Sequence, residues 1–185
     1  MSDARAALRH GTAADHERLD ALFGAFRLDD AEEYRAFLTA HAMALAAIET
    51  ALDEAGFDTV LPDWPERRRG HAIAADLAML GATAPAPLPV PALALALATP
   101  AASWGAAYVV EGSRLGGAVL ARAVPDTLPK SYLGTPQSAG AWRNFLQSLD
   151  KALTLPQDIA AATESARAAF VIFEQAGLRV RGKTD

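Results

Sequence analysis

The chain has 185 residues, 51% of them hydrophobic and 21% charged, with a formal net charge of −5. That length fits one domain with a sizeable core, and an acidic chain without a basic cluster excludes nucleic acid as the main partner. The absence of cysteine excludes disulfides, thiolate metal sites and cysteine nucleophiles, and fits a reducing compartment.

Met1-Ser2-Asp3-Ala4-Arg5 runs into an amphipathic pattern with no signal-peptide apolar core, so a cytoplasmic location is expected. From about Asp3 to Phe26 the residues Leu8, Thr12, His16, Leu19, Phe23 and Phe26 recur at helical steps, predicting one helix with a core-facing stripe. His16 lies in that stripe. Arg9, seven residues earlier, points within about 20° of the same direction and about 10.5 Å nearer the N-terminus. Asp20, one turn after His16, can hold the Nδ1 proton and leave Nε2 free for a metal. The same spacing fits a core-edge histidine satisfied by Asp20, with Arg9 in solvent.

Asp29-Asp30-Ala31-Glu32-Glu33 opens the second helix with a cap residue and a glutamate three places on. Its stripe is Tyr34, Leu38, His41, Leu45, Ile48 and Leu52, and Gly56 ends it. His41 has no carboxylate one turn away and reads as a structural core histidine; His10 and His71 read as surface residues. A third helix runs from the cap at Asp63 through Pro65 to Leu80, with Arg67, Arg68 and Arg69 as a solvated face. No residue from Leu77 to Val110 is charged, but Pro85, Pro87, Pro89, Pro91 and Pro100 interrupt the stretch and exclude a membrane span. Those spaced prolines predict an extended connection as far as Pro91, and Ala92–Ala98 reads as a short helix.

Thr99-Pro100 caps a helix that ends near Val124-Pro125. Tyr108, Gly112, Leu115 and Val119 share one of its faces. Gly112, Gly116 and Gly117 each cost roughly 0.5–1 kcal/mol against alanine in a helix, on the order of 2–3 kcal/mol together. Bare backbone there either admits a large planar ligand beneath a kinked helix or permits close helix packing, and spacing does not choose. A loop with Pro129, Gly134 and Pro136 follows. From about Ser138, Trp142, Phe145, Leu149 and Leu153 form another stripe, and Pro156 opens a last helix carrying Ile159, Ala166, Phe170 and Phe173 inward to Gly177. The polar tail from Arg179 to Asp185 is expected to fray. There is no internal repeat, phosphate loop, nucleophile elbow or HExxH pattern.

Leu8-Arg9-His10-Gly11-Thr12-Ala13-Ala14-Asp15-His16 and Tyr108-Val109-Val110-Glu111-Gly112-Ser113-Arg114-Leu115-Gly116-Gly117 together resemble the biliverdin-producing heme oxygenases, in particular the bacterial branch associated with bacteriophytochromes. Ala166-Arg167-Ala168-Ala169-Phe170 is similar to that family's last core helix. The resemblance implies a single-domain, all-α fold of about eight helices over residues 1–178, with 179–185 as a tail. Heme is then sandwiched between the first helix and a glycine-rich, kinked distal helix. His16 is implied as the proximal iron ligand, Asp20 as its support, and Arg9 and Arg143 as propionate contacts. Tyr108, Gly112, Gly116, Gly117 and Phe170 complete the implied heme contacts, and Gly112, Ser113 and Gly116 the catalytic distal wall. Where the animal enzymes carry an aspartate after the first glycine, this chain has Ser113, which is not ionised at neutral pH.

The implied reaction opens heme b to biliverdin, carbon monoxide and ferrous iron, with oxygen and a separate electron donor, a ferredoxin or a flavin or NADPH reductase. No bound flavin or nicotinamide is expected, and a bacteriophytochrome is the implied biliverdin acceptor. A non-catalytic heme carrier or sensor, and a helical enzyme for another flat ligand, are the rival readings.

Overall fold

The computed structural model describes residues 2–89, 97–134 and 140–182. Among them are eight α-helices and no strand: α1 Asp3–Gly11, α2 Ala13–Phe23, α3 Ala31–Glu54, α4 Trp64–Arg67, α5 Gly70–Met79, α6 Pro100–Leu120, α7 Ala141–Ala152 and α8 Pro156–Arg181. Asp30 caps α3 by accepting from the N–H groups of Glu32 and Glu33, both at 3.0 Å. Gly56 follows that helix at φ +66°. Thr99 caps α6 through the Ala102 N–H at 3.2 Å. Helix α3 has the length and composition of a membrane span, but 61% of its most apolar window is buried within the molecule; it is the central core helix. The short helix expected at Ala92–Ala98 falls largely outside the described residues, as do Pro91, Pro136 and Ser138.

Four helices differ from the sequence expectation. The first breaks into α1 and α2 at Thr12, where ψ is 3° and the hydroxyl bonds back to the Leu8 carbonyl at 2.7 Å. The third breaks at Arg68, which is extended (ψ 143°), because the buried Glu49 carboxylate accepts the N–H groups of Arg69 and Gly70 at 2.7 and 3.2 Å and starts α5 afresh. Asp63 does not cap α4; its carboxylate accepts from Arg67 at 2.7 Å. Gly177 does not end the last helix, and residues 179–181 are helical, with Arg181 over the Phe26 ring at 5.3 Å. Helix α6, in turn, stops at Leu120, short of Val124, and is helical without interruption across its glycines.

Helix α8 is the element on which the others are hung. A Cβ on Gly105 of α6 would lie 1.8 Å from the Ala162 carbonyl oxygen of α8, so the two backbones touch there. One residue on, a Cβ on Gly11 would meet Thr163 Cγ2 at 2.4 Å, which sets the elbow between α1 and α2. Asp15, 5% exposed, pins α2 to α8 through Arg167 at 3.2 Å. By contrast a Cβ on Gly116 would meet nothing within 4 Å, and one on Gly112 or Gly117 only ordinary contacts at 3.6 and 3.5 Å.

Space therefore runs out at Gly105 and not at the three later glycines. Gly105→Ala is expected to cost about 3 kcal/mol in urea unfolding, the upper end for overpacking. Gly116→Ala should leave the ligand-free chain unchanged or stabilise it by about 0.5–1 kcal/mol through helix propensity. Equal losses at both positions would contradict this division.

Candidate functional site

Helices α2 and α6 form opposite walls of a cavity of about 720 Å³, a volume in the range of small-molecule and cofactor sites. Arg9, His16 and Asp20 line it from one side, and Tyr108, Gly112, Ser113, Gly116 and Gly117 from the other. Phe170 of α8 and His41 of α3 lie deeper, with Tyr132. The sequence signatures from the two halves of the chain are thus brought to one space.

His16 is not a core residue. Its side chain is 63% exposed, its ring lies 5.7 Å from that of Phe170, and its Nδ1 stands 2.9 Å from Asp20 Oδ2. A carboxylate at that atom favours the proton on Nδ1 and leaves Nε2 as a ligand. Arg9 is exposed at the rim, close enough to Tyr108 for its charge to oppose the upward push of burial on the phenol. Arg143 is not brought to the cavity: it is exposed, with its guanidinium folded toward Gly140.

The glycine-bearing wall is apolar and open. Leu115 and Val119 are 48% and 62% exposed at the cavity mouth, and Trp142 lies against Gly112. Ser113 is already engaged. Its hydroxyl donates to the Val110 carbonyl at 2.7 Å and accepts from Arg69 Nη2, so it has no proton to spare for the cavity.

Arg69 corrects the reading of a solvated arginine run. It is 2% exposed and lines the cavity, its Nη2 also reaching the Val110 carbonyl at 2.9 Å and its Cζ lying 4.9 Å from the centre of the Tyr132 ring. The helix break separates the three arginines: Arg67 goes to Glu111 at 2.6 Å and Arg68 to Asp53 at 2.6 Å. The signal for this was Glu49 and Glu111, lone carboxylates inside apolar helices, since a buried charge needs a partner.

His41 is the core histidine expected, and it also faces the cavity. Phe23, Phe37, Tyr132 and Phe173 surround it, with ring centres at 4.2–5.7 Å, and its Nδ1 is 2.9 Å from the Tyr132 hydroxyl. Burial, then the Arg69 charge, lowers its pKa from 6.5 to about 3.

The sequence matches the heme oxygenase family model over residues 2–177. The chain belongs to the heme oxygenase family. A heme oxygenase of Xanthomonas campestris pv. campestris (strain 8004) is 33% identical over 150 residues, covering 78% of this chain and 88% of that protein. The fold is that of the heme oxygenase of Neisseria meningitidis solved in its NO- and CO-bound forms: TM-score 0.79 at 24% identity, over 97% of this chain and 92% of that one. A heme oxygenase is a heme-degrading enzyme, so membership decides against the carrier and the other-ligand readings. The lining fits the substrate: an imidazole with a free Nε2 on one wall, an unobstructed glycine on the other, and apolar surface between them.

The low pKa of His41 gives a stability signature with a definite sign. Because the folded pKa lies below the unfolded one, the unfolded chain binds the extra proton between about pH 6.5 and 3. Stability should fall on acidification through that window, by up to about 1.4 kcal/mol per pH unit from this group. Urea unfolding at pH 6.5 and 4.5 should show wild type losing about 2 kcal/mol more than His41→Gln; equal losses would contradict a His41 imidazole held neutral in the folded chain.

Proposed function

We propose that heme b lies between α2 and α6 with His16 as its proximal ligand, and that the chain converts it to biliverdin, carbon monoxide and ferrous iron. The observation that carries this reading is the pairing of His16 and Asp20 on α2 with the sterically empty Gly116 on α6. Heme supplies the iron that activates oxygen and the ring that is cut. The chain supplies the geometry. Asp20 holds the His16 tautomer, and Arg9 at the rim offers a charge-assisted contact to a propionate. The bare backbone of Gly112, Gly116 and Gly117 lets the macrocycle approach α6, with Tyr108 and Phe170 packing at its edges. Arg143 would have to swing away from Gly140 to reach a propionate.

Electrons come from a separate ferredoxin or a flavin or NADPH reductase. The biliverdin is passed to a bacteriophytochrome, and the reaction belongs in the cytoplasm.

Hemin mixed with the purified chain and a reductant in air should lose its Soret band as biliverdin appears. His16→Ala should abolish or grossly alter the heme spectrum, whereas His41→Ala should retain the ligation; the reverse pattern would overturn the assignment of His16.

Gly116→Val tests the distal wall separately. It should leave a folded, helical protein whose hemin affinity is lower by tenfold or more, at least about 1.4 kcal/mol. Normal binding and turnover in that variant would leave Gly116 without a part in heme binding.

A further inference from the structure

The heme ligation proposed above makes no use of His41, yet its imidazole lines the cavity. The ring is fixed. Four aromatic rings surround it, and its Nδ1 is 2.9 Å from the Tyr132 hydroxyl. Tyr132 is itself held: the buried Asp76 carboxylate of α5 accepts the N–H groups of Ser131 and Tyr132 at 3.0 and 2.8 Å. Leu133, the next residue, packs against Gly117 of α6, and Arg69 over the Tyr132 ring reaches Ser113 of α6. His41 is thereby tied to the wall opposite His16. Its Nε2 has no hydrogen-bond partner among the described residues.

Which nitrogen carries the proton follows from the Tyr132 contact. A neutral imidazole has one N–H and one acceptor nitrogen. A phenol is a stronger donor than an imidazole N–H, and an imidazole nitrogen a stronger acceptor than a phenol oxygen; the Arg69 cation over the ring strengthens the phenol as donor further. We propose that Tyr132 donates to Nδ1 of His41, so that His41 presents Nε2–H to the cavity as a hydrogen-bond donor for a small polar ligand on the heme face opposite His16. Tyr132 and Asp76 are positioning residues for that donor. The proposal rests on heme occupying the cavity, but its tautomer half does not.

Two measurements test it. In the ¹⁵N-labelled, heme-free chain at neutral pH, long-range ¹H–¹⁵N spectra should report the proton of His41 on Nε2; a proton on Nδ1 overturns the proposal. In the hemin-loaded chain, azide probes the face opposite His16. His41→Leu should weaken azide binding about three- to tenfold, the effect of one lost hydrogen bond. His41→Gln, which retains an amide N–H, should stay within about twofold of wild type. Unchanged azide affinity in the leucine variant, or equal loss in both, overturns the proposal. A native chain that shows the Nε2 proton but gives no heme spectrum would instead sink the heme reading on which the second half depends.

Discussion

The width of the cavity is set by one turn of α8. Ala162 takes the backbone of α6 at Gly105, and Thr163 takes the α1–α2 elbow at Gly11. Both contacts are closer than any side chain beyond hydrogen permits, so neither wall can slide along α8 without lifting off it. Helix α2 is then locked in direction by Asp15 with Arg167 at 3.2 Å, and by Arg18 with Glu174 at 3.7 Å. The elbow at Thr12 turns His16 away from the core its periodicity predicts and toward the space between the walls.

The far wall is held by charge as well as by packing. Glu111, 1% exposed, takes Arg67 at 2.6 Å and Arg114 at 3.0 Å, and Arg114 also donates to the Arg67 carbonyl. Buried pairs of this kind contribute little net stability against an apolar alternative, but losing one partner strands the other at a cost of about 3–5 kcal/mol. Their structural effect is positional. They fasten the α4–α5 junction to the middle of α6, and Glu49 caps the new helix so that Arg69 enters the cavity beside Ser113. Ser113 accepts there from the Arg69 cation, which an aspartate at that position would pair with.

Much of this was legible in the chain because local rules and tertiary packing agree there. The caps at Asp30 and Thr99 are recorded in the short-range pattern, as are the stop at Gly56 and the stripes of α3 and α7. The His16–Asp20 spacing is likewise local and held. The breaks at Thr12 and Arg68 were not legible, since each is imposed by a distant partner: Thr163 in one case and Glu49 in the other. Gly177 misled for the same reason. It reads as a helix stop, but a Cβ there would sit 2.8 Å from Leu22 Cδ2, so it serves the crossing of α2 over α8 within a continuing helix. Arg69 was hidden by its neighbours, because a run of three arginines looks like one solvated surface until the backbone turns between them.

The division within α6 explains why its glycines fall where they do. From Ala101 to Ala107 every residue is buried, and the crossing at Gly105 lies in that half. Beyond Glu111 only Gly117 is buried, and Leu115 and Val119 stand exposed at the cavity mouth. A helix held at one end and bare at the other keeps apolar surface in water until a ligand covers it. Fully burying one such side chain is worth about 1.5–3 kcal/mol, so a flat apolar ligand on this wall offsets an intrinsic helix cost of about 2–3 kcal/mol for three glycines. The cost of the glycines is therefore offset once a ligand covers this wall, and binding to the folded chain alone raises its stability by mass action. In the proposed placement the half of α6 that faces the cavity gains stability from heme, and the half that contacts α8 holds the wall in place for it.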